Sequence, residues 1–132
     1  MNTDMINDLS QKHFLISDFF KWPSTRAGWE TFKLSDEQLD FFEKYGYVSN
    51  IKLLEEWQID KLNEQLEEIT DPRHSANNLF YEFHSNESSD SNSVLFHALG
   101  AWRIAEGFHD IIWNPAFVMP ASQLLGNRAI RF

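Results

Sequence analysis

Four apolar residues, Ile59, Leu62, Leu66 and Ile69, recur at spacings of three, four and three. That spacing lays them along one face of an α-helix. A helix is therefore expected over 55–69. Asp71-Pro72 closes it, because a residue before proline is pushed out of the helical region. Such a helix needs a second surface to pack against, and the preceding sequence offers one. Ser35 with Gln38 three positions later is a capping box, and Asp36 and Glu37 sit where the helix dipole favours acids. Leu39, Phe42 and Tyr45 would form its buried stripe, and Gly46 suits the left-handed residue that ends a helix. Between the two, 47–53 alternates, with Tyr47, Ile51 and Leu53 on one face, and predicts a short strand.

Residues 1–34 show no sustained period. Phe14, Phe19, Phe20, Trp22, Trp29 and Phe32 mark them as an extension held to a surface by aromatic anchors, with Pro23 interrupting any helix there. After the second helix the chain turns polar, and 84–93 (HSNESSDSNS) is loop chemistry, with a short strand expected just before it over 79–83. The apolar stretch 94–102 leads into a third helix, expected over 102–113 with Ile104, Phe108, Ile111 and Ile112 as its stripe. Asn114-Pro115 is an N-cap followed by proline at the first helical position. The helix it opens should run to Leu125, with Phe117, Val118, Ala121, Leu124 and Leu125 inward and Gly126 as cap. Pro120 inside it predicts a kink or a tightened turn. Residues 129–132 look like the beginning of a strand, which suggests that the sequence continues in a parent protein.

Composition narrows the function. The chain of 132 residues is 42% hydrophobic, with twelve Phe and five Trp, enough apolar volume for an ordered domain. Its formal net charge is −9 with no basic stripe, which argues against nucleic acid and anionic membranes as partners. There is no cysteine, so disulfides, zinc–thiolate sites and cysteine nucleophiles are all excluded. The polar, acidic start lacks a secretory signal, and the longest apolar stretch is interrupted by His109, Asp110, Asn114, Pro115 and Pro120, so a cytoplasmic protein is expected.

A complete catalytic or metal site is not expected. None of the five histidines (His13, His74, His84, His97, His109) begins an H-x-D or H-x-E pair of the kind that holds mononuclear iron. Glu82-x-His84 would share a strand face and reads as a loop-edge pair in solvent. Glu106-x-x-His109 has the spacing of di-iron bundles but occurs once, and reads as a surface pair one helical turn apart. No nucleophile elbow, P-loop or dinucleotide fingerprint occurs. The paired acids Asp36-Glu37, Glu55-Glu56 and Glu67-Glu68 read as solvated helix ends and faces. Arg103 either covers the edge of Trp102 or reaches a carboxylate or phosphate.

The run LSDEQLDFFEKYGYVSNIKLLEEWQIDKLNEQLEEI over 34–69 resembles the opening of the phytanoyl-CoA dioxygenase family. That opening is a capped helix, Gly-Tyr and a strand, then Leu-Leu and a helix with spaced leucines. The stretch 95–132, with its Asn-Pro helix start, its Leu-Leu-Gly end and a strand after it, is similar to the same family, and Trp29 to Phe32 fits a bacterial branch. The resemblance implies an α+β chain, the mostly helical N-terminal portion of a double-stranded β-helix (jelly roll) with a few short strands. Residues 35–132 would be that part of the domain, ending before the iron motif, with the first jelly-roll strand near 128–132. In the family, iron(II) and 2-oxoglutarate serve a hydroxylase acting on a small-molecule substrate. No cofactor is expected in this chain alone, and no catalytic residue carries over. His97, Trp102 and Arg103 become candidate cleft-lining residues. The other reading is a non-catalytic helical interaction module or pseudo-enzyme fragment, self-associating through exposed apolar faces.

Overall fold

The computed structural model describes residues 7–131. Within them the chain is α+β: α1 (Arg26–Glu30), α2 (Asp36–Tyr45), α3 (Glu56–Thr70), β1 (Glu82–His84), β2 (His97–Leu99), α4 (Glu106–Asp110) and α5 (Pro115–Leu124), with short 3-10 turns between them. The strands pair antiparallel, with Glu82 opposite Leu99, Phe83 opposite Ala98 and His84 opposite His97.

The two helices read from caps form where expected. The Ser35 hydroxyl accepts from Gln38 N, and the Gln38 side chain returns to the Ser35 backbone, closing the capping box of α2. Gly46 ends it at φ 77°, a left-handed conformation that costs a glycine little. The burial expected of α2 differs. Leu39 and Phe42 are only half-buried, and Tyr45 is 53% exposed, stacked instead against Phe41 at the open surface. In α3 the expected row is buried at Leu62 and Ile69 and half-buried at Leu66, and at its first turn Gln58 takes the inner place expected of Ile59. Gln58, Leu62 and Ile69 point inward, while Ile59 stands exposed. Gln58 turns inward because its side chain has two backbone bonds to make. It accepts from Glu55 N as the capping-box partner, and its amide donates to the Phe19 carbonyl.

Three expected elements do not form. Residues 47–53 are irregular, because Asn50 at φ 61° breaks the extended run and no strand lies beside it to complete a ladder. The expected helix over 102–113 is broken into pieces. Gly100 at φ 108° opens a 3-10 turn over Ala101–Arg103, Ala105 is extended, α4 lasts five residues, and Ile111–Trp113 tightens into another 3-10 turn. Asn114 before Pro115 takes an extended ψ of 119°, as a residue before proline must, and ends that run. Residues 129–131 form no strand, since the only ladder among the described residues is β1–β2, and Phe132 lies outside them. The strand expected over 79–83 forms later, as β1, with Leu79 in a 3-10 turn before it.

α5 begins as read, with the Asn114 side chain accepting from Ala116 N and Pro115 at the first helical position. Phe117 and Leu125, expected inward, are exposed, and the buried positions are Pro115 and Pro120. The buried apolar core is small (Leu9, Phe20, Leu34, Leu62, Ile69, Ala76 and Ala105). Side-chain amides stitch the elements around it. Gln65 accepts from Gly107 N at 2.9 Å, joining α3 to α4, and Gln123 accepts from Leu34 N at 2.7 Å, joining α5 to the segment ahead of α2. Asn114 donates to the Leu53 carbonyl at 2.9 Å. Among the described residues no helix is long and apolar enough to cross a membrane.

Candidate functional site

The polar chemistry of the chain collects in three places. Two of them hold the N-terminal segment, residues 7–34, against the rest of the fold.

In the first, the 3-10 turn over Ala101–Arg103 aims the Arg103 guanidinium at Asp8, whose Oδ1 accepts from Nε at 3.3 Å while Oδ2 accepts from Nη2. Nη1 donates to the Leu79 carbonyl at 2.7 Å, and the guanidinium lies 4.7 Å from the centre of the Tyr81 ring. Arg103 thus reaches a carboxylate, and that carboxylate belongs to the chain itself. Its hydrogen bonds, reinforced by those from Ser10, hold the Asp8 carboxyl at about 2, below its ordinary 3.8, although burial pushes the other way. A carboxylate with a depressed folded pKa stabilises the fold above its unfolded value, and that contribution fades as pH falls through the folded value. The contribution is therefore present in full above about pH 4 and lost toward pH 2. Arg103→Met is expected to move the Asp8 titration, followed by carboxyl NMR, back up toward 3.8 and to flatten the acid limb of stability against pH. An unmoved Asp8 titration contradicts the pairing.

In the second, α4 ends on His109 and Asp110, both fully buried. Asp110 Oδ2 accepts from Ser17 N at 2.8 Å and Ser17 Oγ at 2.6 Å, and its two oxygens share Ile16 N at 3.1 and 3.2 Å. His109 Nδ1 faces Asp110 Oδ1 at 2.8 Å, and Nε2 faces the Lys12 carbonyl at 2.9 Å. A carbonyl only accepts, so Nε2 donates to Lys12, and the Nδ1–Oδ1 contact is a hydrogen bond between the imidazole and the carboxyl group. The expected surface pair Glu106/His109 is overturned. Glu106 is exposed, whereas His109 turns inward to the segment ahead of it.

In the third, Glu82 and His84 share a face of β1 as read, with Glu82 Oε1 2.9 Å from His84 Nε2. The strand brings a residue that the pair alone did not foresee: His97, directly opposite His84 on β2. The three candidate cleft-lining residues are thus separated in environment. His97 is on the hairpin and open to solvent, while Trp102 and Arg103 sit in the turn before α4, half-buried.

A cleft of about 230 Å³ lies elsewhere. Phe19, Phe20, Phe32, Leu53 and Pro115 give it apolar walls, with Gln58, Lys21 and Lys52 as polar lining, and none of His97, Trp102 and Arg103 borders it. Its two buried polar side chains, Gln58 and Asn114, are already engaged by backbone. No three His, Cys, Asp or Glu side chains among the described residues are grouped to hold a metal ion. No family model matches the chain, and no curated protein matches it significantly.

Proposed function

We propose that this chain supplies the helical scaffold of an iron(II)- and 2-oxoglutarate-dependent oxygenase of the phytanoyl-CoA dioxygenase kind. That kind of enzyme binds iron through an H-x-D motif and a second histidine on a jelly roll, and none of the five histidines of this sequence begins an H-x-D pair. The observation that carries the reading is the order of capped helices. A capping-box helix closed by left-handed Gly46 and followed by Tyr47 leads to a long helix ending at Asp71-Pro72. A helix opened by Asn114-Pro115 and closed at Leu125-Gly126 follows later. The irregular 47–53 segment and the divided 101–113 stretch do not share that pattern, so the reading rests on the helices.

Scaffold helices of this kind contribute position, not chemistry, and the Arg103–Asp8 and His109–Asp110 clusters fit that role because their polar groups are engaged with one another and with the chain's own backbone. Calorimetric titration of the 132-residue chain with 2-oxoglutarate, in the presence of iron(II) and without oxygen, is expected to show no stoichiometric uptake of 2-oxoglutarate, and no succinate should form on admitting air. Stoichiometric binding overturns the scaffold role. Coding sequence continuing past residue 132 with no His-x-Asp removes the oxygenase assignment itself.

A second reading, a non-catalytic interaction module, is favoured by one patch. The Phe41 ring lies 4.5 Å from Tyr45 and 5.3 Å from Tyr47, and all three are exposed. Sedimentation velocity separates the two readings, since a module working through this patch should self-associate and lose that association in Phe41→Ser.

A further inference from the structure

We propose that His84 and His97 form a two-imidazole site for a divalent transition cation of the zinc class, clasping the β1–β2 hairpin. The site does not depend on the oxygenase reading.

The register makes the two residues direct cross-strand partners, and such partners project to the same face of a sheet. Their ring centres are 6.0 Å apart, with the rings near perpendicular at 80°. Two imidazoles bound to one tetrahedral ion through nitrogen at about 2.0–2.1 Å place their ring centres about 5 Å apart, so a closure of about 1 Å brings both rings onto an ion. The nitrogens also converge. Glu82 Oε1 is 2.9 Å from His84 Nε2, and its Oε2 is 4.0 Å from His97 Nε2, so one carboxylate faces both ring tips. Glu87 lies 3.8 Å from the other nitrogen of His97, on the side where a carboxylate orients a metal-bound imidazole.

Charge and access favour a cation. Two carboxylates flank two imidazoles, and all four side chains are about half exposed, so an ion can arrive and keep water as its remaining ligands. His84 would move its ring proton from Nε2 to Nδ1, leaving the Nε2 lone pair for the ion. Glu82 would turn from the imidazole to a metal-bound water. Two protein nitrogens make a site of modest affinity. Its structural effect is to lock the register of a three-residue ladder whose connecting segment, 85–96, contains no helix or strand.

The alternative is that the four side chains only pair with one another as solvated ions. Zinc titration of the untagged chain at neutral pH, by calorimetry and by long-range nitrogen NMR of the imidazoles, decides between them. One equivalent is expected to bind, shifting Nε2 of His84 and His97 together and raising the melting temperature. His84→Asn or His97→Asn should each weaken binding at least tenfold, and Glu82→Gln less. His13→Asn with His74→Asn should leave it unchanged. The exposed hairpin positions make loss of fold an unlikely confounder, and circular dichroism checks it. Absence of one-to-one binding up to millimolar zinc overturns the site. So does binding that survives both hairpin substitutions, or that disappears with His13 and His74.

Discussion

Asp110→Ala is expected to lower the stability of the chain by about 3–5 kcal/mol, the scale for removing one partner from a buried, hydrogen-bonded pair of ionisable groups. The loss has two sources. The fully buried His109 loses its side-chain partner, and the part-buried donors Ile16 N, Ser17 N and Ser17 Oγ lose their shared acceptor. Because those donors belong to the N-terminal segment, the effect has a local signature. Amide exchange at Ile16 and Ser17 should quicken more than at Leu62 or Ile69 of α3, while the urea midpoint falls for the whole chain. Asp110→Asn should be milder, since an amide oxygen still accepts from the segment. Joining Asp110→Asn with His109→Gln should cost less than the sum of the two single changes, because the two residues are in direct contact and each single change already disturbs their shared hydrogen bond. A urea midpoint within experimental error of the parent in Asp110→Ala would show that the knot does not hold the segment.

The same two residues mark the limit of what the sequence made legible. His109-Asp110 is a bare dipeptide, and nothing in its spacing announces burial. The acid one turn earlier, Glu106, drew attention instead because i, i+3 pairs have a known pattern. Burial of His109 depends on where the Lys12–Ser17 backbone runs, over 90 positions away along the chain, and local period carries no record of that. Arg103 was legible as a reaching residue, but its target, Asp8, was not. His84 and His97 lie on opposite sides of a polar loop, and only the register of a three-residue ladder pairs them.

Helix ends were the readable part. Ser35, Gly46, Asp71-Pro72 and Asn114-Pro115 act within a few residues of themselves, so their chemistry survives any tertiary context. Faces and strands were less so. The row Ile59, Leu62, Leu66 and Ile69 named the helix and most of its inner face correctly, and failed only at Ile59, where Gln58 turns inward to its backbone partners instead. The alternation over 47–53 described side chains suited to a strand. A strand also needs a neighbour to accept its hydrogen bonds, and alternation does not supply one.

Gly107→Val is expected to separate α4 from α3. A Cβ built on Gly107 would sit 2.7 Å from Gln65 Oε1, 2.9 Å from Leu62 Cδ2 and 3.0 Å from Phe19 Cζ, all inside van der Waals contact. These neighbours come from both α3 and the N-terminal segment, so no single side chain can swing away and relieve the crowding. Gln65 is further tied because its Oε1 accepts from Gly107 N itself. Overpacking of this kind costs about 1–3 kcal/mol for the first added carbon. Gly107→Ala should fall in that range, offset by up to about 1 kcal/mol from its better helix propensity, and Gly107→Val should exceed it. A further effect distinguishes crowding from general loss of packing. Leu62→Ala alone opens a cavity and destabilises, but combined with Gly107→Ala it clears one of the three clashing atoms, so the pair should be less destabilised than the two single changes added together. Strict additivity in the urea midpoints would mean that α4 does not seat on α3 through this glycine.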